Sequence, residues 1–244
     1  MPAQQPAEPT FRSDVTVELV KHTASDADVL FAARVSTLGE QSLAELQKDP
    51  ERSKGLINYL MRDRHGSPFE HNSMTFLISA PIFVFREFMR HRVGWSYNEE
   101  SGRYRELQPV FYVPGPDRKL VQVGKPGRYE FEQGDVEQAS VAYEQMTLAY
   151  QEAYDSYRGM LSAGIAREVA RAVLPVGLYS SMYATCNARS LMHFLGLRTT
   201  HPDATTPSFP QREIEMVGEK MEAAWAELMP LTYAAFNANG RVAP

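Results

Sequence analysis

Apolar and polar positions alternate along Val15-Thr16-Val17-Glu18-Leu19-Val20, the two-residue period of a half-buried strand. Ser25 or Asp26 offers an N-cap for a helix running to about Val35. Leu56, Ile57, Leu60 and Met61 place an apolar stripe on a second helix, Pro50 to Arg64. Met74 to Ile78 reads as the next strand. Pro81 suits a first helical position, where its missing N–H costs nothing, and that helix would carry Arg86 and Arg90 on one face. Val110 to Val113 predicts a short strand, and Gly115 to Gly134, rich in Gly, Pro and charge, a mobile loop. The strongest helical period covers Val136 to Ser162, with Met146, Tyr150, Tyr154, Tyr157 and Leu161 as its stripe. Arg167 to Val173 predicts a short helix stopped by Pro175. Tyr179 to Arg198 predicts a long one that aligns Asn187, Leu191 and Arg198. A loop with three prolines, Thr199 to Pro210, precedes a last amphipathic helix, Arg212 to Met229, with Ile214, Val217, Met221, Trp225 and Leu228 inward. With no internal repeat and no linker, the pattern predicts one α+β domain over 11–244 behind a disordered tail, 1–10.

Composition narrows the function classes. A chain of 244 residues with 43% hydrophobic and 23% charged residues is ordinary for a soluble globular protein. A net charge of −5 argues against broad nonspecific binding of nucleic acid, but not against one basic pocket. The single cysteine, Cys186, excludes an intrachain disulfide and an all-cysteine metal site, and fits a reducing cytoplasm. The first ten residues do not read as a secretory signal, and no run of about 18 apolar residues predicts a membrane span. His65, His71 and His91 form no dense zinc cluster, and Gly124-Lys125-Pro126-Gly127 is not a P-loop.

The chemistry concentrates in residues 90–104, Arg-His-Arg-Val-Gly-Trp-Ser-Tyr-Asn-Glu-Glu-Ser-Gly-Arg-Tyr. Arginines directly after the apolar run Pro81 to Phe85 are costly unless an anion pairs with them, and phosphate suits the guanidinium fork. The alternative is a helix C-terminus, where cations meet the last carbonyls. Arg167, Arg171 and Arg198 downstream favour the phosphate reading, since several arginine-bearing helices could converge on one anion.

This run resembles the signature of the flavin-dependent thymidylate synthases. So do His65-Gly66-Ser67-Pro68-Phe69-Glu70-His71, Ala80-Pro81-Ile82-Phe83-Val84, Arg167 to Pro175 and Asn187 to Met192, with Leu197-Arg198 following, all in order between Ala32 and Ile214. The resemblance implies a mostly antiparallel sheet under long helices. It implies FAD bound by Ser36, His65, Ser67, Arg90, His91, Arg92, Asn98, Asn187 and His193, the last by position only. It implies dUMP bound by Glu87, Arg90, Glu99, Glu100, Ser101, Gly102, Arg103, Arg171 and Arg198. Among these, Arg198, Ser101 and Arg171 carry the catalytic contacts. It further implies methylenetetrahydrofolate as carbon donor, NADPH as reductant, no metal, and a cytoplasmic homotetramer with sites where chains meet. No cysteine nucleophile is expected, so Cys186 reads as a small buried hydrophobe.

Two departures bear on the substrate. Eight residues, Val93 to Glu100, separate Arg-His-Arg from Ser101, where the commonest family form has seven. Thr199 to Pro210 is longer than usual, with Phe209 near a position often held by His. A homologue accepting UMP for modified-nucleoside biosynthesis, or a nucleotide-binding module without catalysis, therefore stays open beside the synthase.

Overall fold

The computed structural model describes residues 8–39, 50–126 and 128–244. In chain order its elements are β1 (Thr10–Arg12), β2 (Thr16–His22), α1 (Asp26–Leu38), α2 (Pro50–Arg62), β3 (Met74–Pro81), α3 (Ile82–Phe88), β4 (Trp95–Glu99), β5 (Val110–Tyr112), β6 (Val121–Lys125), β7 (Arg128–Glu132), α4 (Val136–Ser162), α5 (Arg167–Ala170), β8 (Tyr179–Cys186), α6 (Ala188–Arg198), α7 (Arg212–Leu228) and α8 (Pro230–Ala238). The chain forms two compact units. One comprises Met1–Asp14, Ser79–Arg86 and Glu99–Ser181; the other comprises Val15–Ile78, Glu87–Asn98 and Met182–Pro244.

The first unit is organised by α4. Asp135 caps it: its carboxylate accepts from Gln138 N–H at 2.8 Å, while the Gln138 side chain accepts from Asp135 N–H at 3.0 Å. The helical period then turns Tyr150, Tyr154 and Tyr157 into a core with Leu107, Phe111, Ala170 and Leu178. Phe111 stacks on Tyr150 at 4.8 Å. β1 pairs in parallel with β5, Phe11 opposite Phe111.

The second unit is built on a four-stranded sheet in the order β2-β3-β8-β4. Along β3, Met74, Phe76 and Ile78 are fully buried and alternate with partly exposed residues, as the strand period requires. Ile57 and Met61 of α2, Phe194 of α6, Trp225 of α7 and Phe236 of α8 complete its core.

Several expectations are corrected. Tyr179 to Arg198 is not one helix but β8 followed by α6. Asn187 leaves the strand in an extended conformation and caps α6, its side chain accepting from Ser190 N–H at 2.9 Å; it is therefore not on a helix face with Leu191 and Arg198. Pro81 ends β3 instead of opening α3, and α3 stops at Phe88, so Arg90 lies in the following turn and shares no helix face with Arg86. The expected loop Gly115 to Gly134 contains the antiparallel β6–β7 hairpin, with Val121 opposite Glu132 and Lys125 opposite Arg128. Arg64 has left the second helix with φ 63°. Met229 lies outside α7, Leu228 is only partly buried, and α8 was not expected. Residues 1–7 of the expected tail, and Gly127, lie outside the described residues, while Thr10 already belongs to β1.

Candidate active site

Arg198 is the last residue of α6 and is half-buried. Its Nη1 donates to Glu87 Oε2 at 2.6 Å and its Nε to His91 Nε2 at 3.1 Å. Because His91 accepts at Nε2, its imidazole is neutral with the proton on Nδ1. Burial pushes the His91 pKa down to about 4, with the Arg198 guanidinium and, when protonated, His193 adding to it. Burial also lowers the His193 pKa, with Arg189 adding to it, and raises that of Glu87 against the pull of Arg198. Glu87 and Arg198 thus form a charge pair in a desolvated setting, with an uncharged imidazole beside it.

The turn after α3 is shaped by aromatic packing. Phe88 stacks on Phe194 at 4.7 Å, and Trp95 lies flat on Tyr97 at 5.7 Å. The Tyr97 hydroxyl lies 3.0 Å from Phe88 O and 2.8 Å from His91 O, tying the turn back to the helix end. Gly94 takes φ 69°, and a Cβ there would stand 2.0 Å from Ser190 Oγ, so only glycine fits this close approach. Ser190 in turn donates to Val93 O at 3.0 Å. The chain at Gly94 is therefore a left-handed turn seated on α6.

This turn and the start of α6 bound a cleft of about 420 Å³, lined among others by His91, Arg92, Asn187, Arg189 and His193. Of the residues expected to hold FAD, it gathers His91, Arg92, Asn187 and His193. Ser36, His65, Ser67, Arg90 and Asn98 do not line it and are exposed. Ser36 donates back to Ala33 O at 3.2 Å, and His65 stacks on Tyr59 at 5.6 Å. Arg189 and Glu70 were assigned no role from sequence, yet both line the cleft and pair at 2.5 Å. The available signal was Arg189 in the first turn of a helix, where the dipole disfavours a cation that has no partner.

The remaining nucleotide residues lie in the first unit. Burial raises the Glu99 pKa. Glu100 pairs with Arg105 at 3.0 Å. The Ser101 hydroxyl accepts from Arg103 N–H at 3.3 Å, and Arg103 Nε reaches Glu168 at 3.1 Å on the surface. Gly102 is buried, and a Cβ there would approach Arg171 Cδ to 3.2 Å, so Ser101-Gly102 and Arg171 are neighbours. Arg90, Arg92 and Arg171 are exposed and make no ion pair among the described residues. Cys186 is fully buried at the end of β8, and burial pushes its thiol far up, which removes thiolate at neutral pH. Among the described residues no cluster of His, Cys, Asp and Glu could hold a metal ion, and no helix is long and apolar enough to cross a membrane.

Residues 18–231 match the profile of the family described as thymidylate synthase complementing protein, Thy1. A flavin-dependent thymidylate synthase from Streptomyces avermitilis is 80% identical over 236 residues, 97% of this chain and 96% of that one. One from Tropheryma whipplei is 59% identical over 237 residues, 97% of this chain and 98% of that one. The structure superposes on the UMP/dUMP methylase PolB from Streptomyces cacaoi, at 58% identity. The TM-score is 0.88 for its complex with 5-Br UMP, covering 96% of this chain and 98% of that one. It is 0.90 for its complex with 5-Br dUMP, covering 96% and 99%.

Proposed function

Because the chain belongs to the thymidylate synthase complementing family, with flavin-dependent thymidylate synthases among its near relatives, we propose that it methylates uracil C5 of dUMP, and also of UMP, in a flavin-dependent reaction. The observation that carries this reading is the half-buried Arg198, fixed by Glu87 and His91 beside a cleft whose other polar residues suit an anionic, aromatic ligand. Acceptance of UMP is supported by the similarity to PolB, a methylase of both nucleotides.

The donor set fits FAD. Among the described residues Arg92 has no carboxylate partner, His91 and His193 are held neutral, and Asn187 stands at a helix N-terminus, a combination suited to a diphosphate and a polar ring edge. Ser36, His65, Ser67, Arg90 and Asn98 belong to this proposal as contacts completed in the assembly. When bound, FAD supplies the reducing power, with methylenetetrahydrofolate as carbon donor and NADPH as final reductant.

The chain's own residues bind and polarise. Ser101-Gly102 offers a hydroxyl and a close backbone approach to the nucleotide phosphate, and Arg103 and Arg171 supply the countercharge. Glu87, Glu99, Glu100 and Arg90 complete the nucleotide contacts. Arg198 places positive charge where negative charge develops on the uracil carbonyls. No attack by Cys186 is needed.

We place these sites where chains of a homotetramer meet, in the cytoplasm, with 11–244 acting as one domain. Arg90, Arg92 and Arg171, unpaired among the described residues, and the exposed Val93, Tyr104 and Val169 support an assembly that covers them. Tritium release from 5-tritiated dUMP and UMP by the flavin-loaded protein tests the reading. A colourless protein that takes up no FAD would sink it. A preference for dUMP above about 10⁴-fold would show that the sugar is read by hydrogen bonding, and would end the dual-substrate proposal.

A further inference from the structure

Arg241, a residue outside the cleft and outside every motif noted in the sequence, is among the most heavily bonded side chains of the second unit. Its side chain is 1% exposed. Nη1 donates to Glu222 Oε1 at 2.5 Å and Asn237 Oδ1 at 2.7 Å. Nη2 donates to Glu222 Oε2 at 2.8 Å and Thr199 Oγ1 at 2.9 Å, and the guanidinium lies 5.0 Å from the Phe236 ring centroid. Its backbone sits at φ 56°, a left-handed conformation that a non-glycine residue keeps only when its surroundings over-determine it.

A buried ion pair of this kind adds little net stability over a well-packed apolar substitute. What it supplies is geometry, and here the geometry ends on Thr199, the residue after Arg198. Helix ends fray because their last carbonyls lack partners. Thr199 closes α6 against that. Its N–H and its hydroxyl both donate to Leu195 O, at 3.0 and 2.8 Å, and its carbonyl accepts from Ser208 at 2.5 Å. Its methyl fits against Gly218, where a Cβ would come within 2.7 Å. The Thr199 hydroxyl therefore spends its proton on the helix and its lone pair on Arg241.

We propose that Arg241 is a positioning residue: through the Thr199 hydroxyl it fixes the end of α6, and with it the direction in which Arg198 presents its guanidinium to Glu87, His91 and the substrate. Its catalytic consequence rests on the reaction proposed above, whereas its structural consequence does not. If the hold on Thr199 is lost, Arg198 gains freedom, its guanidinium leaves His91, and water reaches the imidazole. Among the described residues, the charged and titratable groups around His91 are Arg198 and His193, Glu87 behind Arg198, the Tyr97 hydroxyl on its carbonyl, and Glu70, Arg92 and Arg189 in the shared cleft lining. Loss of a nearby cation and of burial both raise the His91 pKa from about 4 toward its ordinary 6.5.

The test uses the flavin-loaded full chain with ¹³C-labelled histidine, the His91 resonance being assigned by its loss in His91→Gln. Thr199→Val keeps the shape but removes the hydroxyl, and Arg241→Lys keeps the charge but loses the fork that spans Glu222 and Thr199. Both are expected to raise the His91 pKa by at least about half a unit and to lower kcat for tritium release about fivefold or more at unchanged flavin content, whereas Thr199→Ser restores both. A His91 titration unmoved in Thr199→Val, or moved equally in Thr199→Ser, overturns the proposal. Should Thr199→Val fail to fold, Arg241→Lys decides on the same readout. If the wild-type protein releases no tritium from either nucleotide, the proposed reaction falls, and the His91 titration still settles the positioning role.

Discussion

Arg198 combines a structural and a chemical demand in one guanidinium. Two of its nitrogens are committed to Glu87 and His91, so removing it strands a half-buried carboxylate and, on the proposed function, also takes a charge-assisted contact from the substrate. Arg198→Ala is expected to cost about 1.5–3 kcal/mol of transition-state stabilisation, roughly ten- to a hundredfold in kcat/KM, measured by tritium release. Arg198→Lys is not expected to restore it, because a single ammonium cannot reproduce the fork. Cys186→Ala should keep substantial activity, since the buried thiol supplies no nucleophile. A folded, flavin-loaded Cys186→Ala protein that is inactive would overturn the chemistry. His91 gives stability a defined pH dependence. Above 6.5 the imidazole is neutral both folded and unfolded and contributes nothing to the slope. Between 6.5 and about 4 the unfolded chain binds a proton that the folded chain refuses, so stability declines as pH falls, and below about 4 this decline is complete. Urea midpoints compared between pH 7 and pH 5 should therefore fall less for His91→Gln than for the wild type.

At the scale of elements, starts and stops were legible where the signal was local. Asp135 and Gln138 form a capping box, and α4 begins and ends where the sequence predicts. The Tyr179 to Arg198 stretch failed for a physical reason. No glycine or proline separates β8 from α6, and Tyr-Ser-Ser-Met-Tyr-Ala-Thr-Cys carries small residues compatible with either period. Only Asn187 marked the boundary, through its capping side chain. Asp26 shows the opposite case. It begins α1, yet its carboxylate accepts from Leu231 N–H at 2.8 Å, Thr232 N–H at 2.9 Å and the Thr232 hydroxyl at 2.6 Å, so it caps α8 across the sequence. Asp26→Ala is expected to lower stability by about 1–2 kcal/mol, and Asp26→Asn, which keeps an acceptor oxygen, by less. Paired denaturant titrations check this; equal losses would mean that the cap is not the cause.

At the scale of the whole molecule, the exposed apolar side chains carry the argument for assembly. Val93 is 90% exposed and Tyr104 77%, both within or next to the segment that bears the site, where a monomer has no use for them. Light scattering on the purified protein should give four times the chain mass of 27.5 kDa. Charge introduced at Val93 (Val93→Asp) should shift the distribution toward smaller species and lower flavin content together. A stable monomer with full flavin would refute sites shared between chains.

The sequence by itself determined the α+β class, most helices, three of the eight strands among the described residues (β2, β3 and β5) and the order of arginine-bearing segments. These follow from side-chain period and from capping residues, which act within a few positions. Only the tertiary structure decided that Glu87, His91 and Arg198 form one cluster and that Arg189 pairs with Glu70 in the cleft. It alone placed Arg241 behind Thr199. Those contacts join residues far apart in the chain, and no local pattern encodes which buried charge will meet which partner; packing and desolvation select the pair only once the core has formed.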